Sequence, residues 1–176
     1  MNPSQPIIAI ADQGAVALDA LLILNNANAR ETSFLSFAEW EHMVAEAFSA
    51  TCVGPSAFLL TFAPDADYAS PNFEWFRERE TAFIYVDRIV VGAEHRRSGV
   101  ARRLYENLFA QALRAGMRKI VCEINADPPN PVSDAFHAAM GFVEVGRACL
   151  ANGKTVRYMC KRLSQTAEYS TGPQLR

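Results

Sequence analysis

The chain has 176 residues, half of them apolar, which is enough to bury the core of one domain. Its 17 basic and 19 acidic residues leave a formal net charge of -2, a balance that calls for neither nucleic acid nor an anionic membrane as partner. No basic leader precedes a long apolar run and no stretch reaches the length of a membrane span, so the expected location is cytoplasmic; Cys52, Cys122, Cys149 and Cys160 are too widely spaced for a metal site or disulfide framework and read as small core residues.

In chain order, Ile7 to Ala11 reads as a short strand, after which Asp12 can cap a helix carrying Val16, Leu18, Leu21, Leu22 and Leu24. Ser36 and Glu39 form a capping box for a second helix, with Phe37, Trp40, Met43, Val44, Ala47 and Phe48 as its buried stripe. Thr51 to Val53 and Ala57 to Phe62 flank Gly54-Pro55 as a β-hairpin. Residues 63 to 80 show no sustained period and read as a long loop. Phe83 to Val91 is a strand apolar enough for a central position, and Gly99 to Ala115 is the clearest helix, with Gly116 as its C-terminal cap. Lys119 to Ile124 is a further strand, and Asn130-Pro131 starts a short helix ending at Gly141. Phe142 to Leu150 and Thr155 to Arg162 close the chain as a hairpin, a plausible dimerisation edge. One domain over 1–163 and a flexible tail over 164–176 are expected.

The chemistry concentrates where a strand runs through Arg96-Arg97-Ser98-Gly99-Val100-Ala101-Arg102 into a helix. Free backbone N–H groups, the helix dipole, a glycine permitting close approach and several arginines make an anion site, against the plainer alternative of a solvated basic helix start. Residues 96–101 match the pattern R/Q-x-x-G-x-G/A, and residues 130–142 resemble N-x-x-A-x-x-L-Y-x-x-x-G-F. Two such segments, in this order and with a helix and strand between them, resemble the GNAT superfamily of N-acetyltransferases over roughly residues 50 to 162.

That resemblance implies an α/β (α+β) fold: a central mixed, mostly antiparallel sheet splayed between two parallel strands and flanked by helices, with acetyl-CoA in the splay; the sequence itself, without a close His or Cys cluster, suggests no metal. It also implies that the backbone of Ile89 and Val91 bonds the pantetheine arm and that the N–H groups from Arg97 to Arg102 hold the pyrophosphate. Asn130 would contact the cofactor across the splay, and Phe136 would pack on the pantetheine. The acceptor would be an amine, of a small molecule or a peptide, and the expected reaction is N-acetylation. A module of the same fold that binds acyl-CoA without turnover is the alternative.

Acetyl transfer to an amine needs a base, because an alkyl ammonium near pKa 10 is mostly charged at neutral pH. Asp87, sharing a strand face with Tyr85, is the candidate base, or else a structural partner for an arginine. His137 stands where the family carries the tyrosine proposed to protonate the leaving thiolate. It serves as that donor or merely packs, in which case Tyr85 donates instead. His42 and His95 read as surface residues. Phe73, Trp75 and Phe76, beside Asp65, Asp67, Glu74, Glu78 and Glu80, could wall a site for a cationic amine or simply anchor their loop.

Overall fold

The computed structural model describes residues 5–164, so the tail expected from Ser164 onward lies, beyond that first residue, outside the described residues. Seven strands form one sheet in the order β1-β2-β3-β4-β5-β7-β6. They are β1 (Ile8–Ala9), β2 (Ser49–Val53), β3 (Ala57–Phe62), β4 (Ile84–Val91), β5 (Lys119–Asp127), β6 (Val143–Cys149) and β7 (Thr155–Arg162). Every pairing is antiparallel except that of β4 with β5.

The helices are α1 (Ala15–Ala27), α2 (Phe37–Glu46), α3 (Pro71–Arg77), α4 (Val100–Arg114) and α5 (Pro131–Ala139). They cover opposite faces of the sheet, because alternate strand residues feed two separate cores. Val90, Val121 and Tyr158 join Leu21, Trp40, Phe73 and Phe76 under α1, α2 and α3. Val86, Ile120, Cys122 and Met159 join Leu104, Leu108 and Phe142 on the side of α4 and α5. This is the mixed, largely antiparallel GNAT fold expected from the sequence.

Local signals explain most of the boundaries. Ser36 accepts from the Glu39 amide while the Glu39 carboxylate accepts from the Ser36 amide at 2.7 Å, so the capping box forms as expected. Of the stripe assigned to that helix, Trp40 and Met43 are buried, whereas Phe37 faces solvent.

Two expectations are corrected. Asp12 does not cap α1: burial of Ile10 draws residues 10–12 into a 3-10 turn, and the cap moves to Gly14. Residues 63–80 are not all loop either. The Ser70 hydroxyl accepts from the Phe73 amide at 3.1 Å, Pro71 opens α3, and Phe73 and Phe76, one turn apart, drive into the core.

Two departures from regular pairing create the site. Parallel pairing of β4 with β5 is confined to Ile84 with Ile120 and Tyr85 with Val121, after which the strands part. On its other edge β4 carries a bulge, since Arg88 and Val86 pair with the consecutive residues Leu60 and Thr61 and leave Asp87 without a partner.

Candidate active site at the parted strands

The turn between β4 and α4 has open donors. None of the backbone N–H groups of Arg97 through Arg102 has an acceptor among the described residues. Gly99 adopts φ +81°, where a side chain would be strained, and Arg97 is held at φ 62°. These left-handed residues turn successive N–H groups outward at the positive end of the helix dipole, with the exposed Arg97 and Arg102 beside them. Ser98 caps inward, its hydroxyl donating to the His95 carbonyl at 2.6 Å. Arg96 turns away from the front of the turn, reaching Asn28 Oδ1 at 3.2 Å and the Val91 carbonyl at 3.4 Å.

Asp87 is not free. The bulge aims it at two partners, and it accepts hydrogen bonds from the Tyr68 hydroxyl and from Arg88 Nε. Arg88 is itself buried and donates to Asn25 Oδ1 of α1 at 2.9 Å and to the Ser33 hydroxyl at 3.4 Å. The ion pair thereby fastens the segment between α1 and α2 to the bulged strand. This is the structural pairing that the sequence left open, and it occupies both carboxylate oxygens.

Sequence reasoning missed Glu123, the carboxylate brought to the splay from β5. Tyr85 Oη donates to Glu123 Oε2 at 2.8 Å, and Asn72 at the start of α3 lies on the same side, where it favours the charged carboxylate. Asn72 Oδ1 in turn accepts from Tyr158 Oη at 3.2 Å. Burial, with the neighbouring Asp87 charge as the second cause, pushes the Glu123 carboxyl up to about 8. Burial and then Glu123 hold the Tyr85 phenol well above its ordinary range, so it remains a donor. The only hint in the sequence was an acid interrupting the apolar strand Lys119 to Ile124.

His137 is carried into the core on the far face of the sheet. Its Nδ1 lies 2.8 Å from the Ser133 carbonyl, which requires a proton there, and its Nε2 accepts from Tyr105 Oη at 2.8 Å. Tyr105, Phe136 and Phe142 surround the ring edge-on, and burial lowers its basicity. It is therefore a neutral imidazole with both nitrogens engaged, and the structure does not bring it together with Glu123 and Tyr85 as a free donor.

Asn130 caps α5, accepting from the Ser133 amide at 3.1 Å, and donates to Glu31 Oε2 at 3.1 Å. Phe136 is half-buried against Tyr105. Ile89 and Val91 lie on the part of β4 beyond its pairing with β5.

The aromatic wall is corrected in part. Phe73 is a core residue, whereas Trp75, stacked on Tyr158 over Gly146 where a Cβ would lie 2.6 Å from its ring, lines with the nearly buried Phe76 a cavity of about 450 Å³ beside Arg79, Glu80, Val121 and Cys160. Glu74, Glu78 and Glu80 pair with Arg77, Arg79 and Lys119. Burial raises the thiols of Cys52, Cys122 and Cys160, so none is an activated nucleophile. Among the described residues no helix is long and apolar enough to cross a membrane, and no cluster of three or more His, Cys, Asp or Glu could hold a metal.

A splayed sheet beside a turn of open N–H groups invites comparison with known proteins. Residues 59–142 match the model of the acetyltransferase (GNAT) family. No curated protein matches it in sequence. Solved structures share the fold. Ard1 from Thermoplasma volcanium is 12% identical with a TM-score of 0.67, over 91% of this chain and 98% of its own. An aminoglycoside 6'-N-acetyltransferase complexed with coenzyme A is 18% identical with a TM-score of 0.67, over 89% and 96%. The ribosomal-protein-S18-alanine N-acetyltransferase from Escherichia coli is 18% identical with a TM-score of 0.62, over 93% and 97%. At these identities the likeness is one of fold.

Proposed function

We propose that the protein is an acetyl-CoA-dependent N-acetyltransferase acting on a primary amine, carried by a small molecule or a peptide. The observation that carries this reading is the conjunction of an open N–H turn at residues 97–102 with two strands that part just after Tyr85. The structural relatives that act on an aminoglycoside and on a protein's alanine frame the choice of acceptor, and one of them is complexed with coenzyme A.

The turn suits a diphosphate, because consecutive unpartnered donors at a helix N-terminus with flanking arginines fit that group in shape and charge. Ile89 and Val91 supply backbone to the pantetheine arm, and Phe136 supplies an apolar surface. Acetyl-CoA, when bound, provides an activated thioester carbonyl.

The chain's own part is to prepare the amine and hold it in line. Glu123 accepts the ammonium proton, and Tyr85 fixes the orientation of its carboxylate. A carboxyl at about 8 is closer to an alkyl ammonium near 10.4 than an ordinary carboxylate is, which makes the proton transfer less uphill. In this reading Asp87 positions rather than abstracts, holding the bulge and the α1–α2 segment through Arg88. His137 likewise acts through position, joining α5 to α4 by its bond from Tyr105.

The decisive experiment titrates the protein with acetyl-CoA by calorimetry and then measures thiol release over a panel of amines, with Glu123→Gln alongside. Selective binding with turnover that fails in the variant supports the reading. Binding without thiol release from any amine would leave a non-catalytic acyl-CoA sensor, and no binding would remove the cofactor assignment altogether.

A further inference from the structure

The cavity of about 450 Å³ beside Trp75 lies at the end of the sheet away from the splay. Val121, Cys160 and Val143 form one cross-strand row of its floor, on β5, β7 and β6. Val121 is still partnered by Tyr85 where β4 and β5 run together, and the strands part in the other direction. The next row along carries Glu123, Tyr158 and Gly146. There the stack of Trp75 on Tyr158 stands as a wall between the cavity and Glu123.

Two features set this cavity apart from a packing gap. Its volume is many times what one buried water needs and falls in the range of small-molecule sites. Its apolar wall is also open to solvent: Val143 and Val145, on the edge strand β6, are 62% and 49% exposed and share the cavity with Trp75 and Phe76. The charges at the rim are not those of a cation site. Glu80 is paired with Lys119, and Glu78 with Arg79. Arg79 lies over the Trp75 ring, its Cζ 4.3 Å from the centroid. It uses only Nη1, which donates to the Trp75 carbonyl and to Glu78 Oε2 at 2.8 Å each, and its Nε and Nη2 have no acceptor among the described residues. Arg162, exposed at the end of β7, has no side-chain acceptor among the described residues, and its charge acts on the Cys160 thiol of the floor. With both acids matched, Arg162 is the charge left over.

We propose that this cavity is a second small-molecule site and that it binds a monocarboxylate with an apolar body, an aryl-substituted or medium-chain alkyl acid. The apolar body covers Val143 and Val145 and packs on Trp75 and Phe76, which removes their surface from water. The carboxylate takes the parallel donors of the Arg162 guanidinium, a planar fork that matches two carboxylate oxygens, and Arg79 adds a second guanidinium at the same rim. One unmatched positive charge suits a single carboxylate. A primary ammonium would meet arginines here, so the cavity is distinct from the place of the acceptor amine in the proposed reaction.

The test follows the methyl signals of Val143 and Val145 by NMR while the full chain, without acetyl-CoA, is titrated with hydrocinnamate and octanoate, and with hydrocinnamyl alcohol as the uncharged control. The expected result is a saturable shift with at least one of the acids at a Kd of about 1 mM or tighter, and an affinity about tenfold lower or weaker still both for the alcohol and for the acids in Arg162→Gln. Val143→Asp sets a like charge on the open wall and should abolish binding of the acids. Arg162 and Val143 are both exposed, so neither variant disturbs the core. No saturable shift with either acid would overturn the assignment, as would an alcohol bound as tightly as the acids or an unchanged affinity in Arg162→Gln. Acetyl transfer does not enter this readout, so its presence or absence leaves the outcome unaffected.

Discussion

The two sides of the splay are built from different material. On the β4–α4 side the candidate cofactor site is almost entirely backbone: unpartnered N–H groups fixed by left-handed Arg97 and Gly99. On the sheet face beneath α3 the candidate acceptor site is almost entirely side chain, with Tyr85 bonded to Glu123, Tyr158 bonded to Asn72, and Tyr68, Asp87 and Arg88 in a further hydrogen-bonded row. A backbone site depends on local conformation and tolerates side-chain variation. A site of buried carboxylates depends on every partner, because each charge removed from water must be matched.

The sharpest way to break this contrast is Glu123→Gln. If Glu123 takes the ammonium proton, turnover falls on the order of a hundredfold to ten-thousandfold, while acetyl-CoA affinity, resting on the turn, stays unchanged. In the intact enzyme kcat/KM should rise with pH through about 8, the value to which burial lifts this carboxyl, and the rise should vanish in the variant. Stability gives an independent reading. A carboxyl whose folded pKa is raised favours the folded state when protonated, so its contribution is full below the unfolded value of about 4.3 and is lost as pH climbs through about 8. Chemical denaturation across that window should show the decline in wild type and not in Glu123→Gln.

Asp87→Ala comes next and should act on stability before chemistry. Removing the carboxylate leaves Arg88 as an uncompensated buried charge and Tyr68 without its acceptor, at a cost of about 3–5 kcal/mol. Urea unfolding measures the loss. Asp87→Asn, which keeps an acceptor for Tyr68, should be milder. Wild-type stability with abolished turnover in Asp87→Asn would return the role of base to Asp87.

The same contrast explains what was legible in the sequence. The turn ahead of α4 was legible because its signal is local: a strand, a basic turn with Gly99, and an amphipathic helix lie within one stretch. The strands and the closing hairpin followed from apolar runs and turn residues, whereas the parallel pairing of two of them followed from the family resemblance. Glu123 was missed because its meaning depends on Tyr85, 38 residues away on another strand. No period or spacing encodes that contact. The alternation that put Asp87 beside Tyr85 also failed to foresee the bulge, which turns Asp87 toward Arg88 instead. α3 was read as loop because seven residues are too few to establish a helical period, although Ser70-Pro71 was an adequate start signal. His137 was placed by position in a motif, and position in a motif carries no information about Tyr105, which engages its second nitrogen.

Tyr105→Phe probes the link between the two helices flanking the slot. It leaves His137 Nε2 buried without a donor, for a loss of about 1–3 kcal/mol in urea unfolding. His137→Phe removes the acceptor instead, and the double variant should lose less than the sum of the two, since the pair acts as one unit. If His137 works through position, the pH profile of turnover in His137→Phe keeps its rise through about 8 while the rate falls. A profile that loses an acidic limb would make His137 a proton donor.

The smallest effects belong to the backbone side, and their signs differ. Gly99→Ala forces a side chain into left-handed backbone at a cost of roughly 1–2 kcal/mol. Nothing lies within 4 Å of the added Cβ, so the strain acts on the conformation of the turn and not through a clash. Acetyl-CoA affinity by calorimetry should fall about tenfold, the equivalent of about 1.4 kcal/mol, with turnover at saturation preserved. Arg97→Gly runs the other way on stability, because relief of a non-glycine residue at φ 62° should stabilise the fold by up to about 1 kcal/mol. It removes one arginine from the turn, however, so the variant should be more stable and yet bind acetyl-CoA more weakly, the more so at low salt. Unchanged affinity in both variants would mean that the open N–H groups of residues 97–102 hold no phosphate, and the backbone half of the comparison would fall.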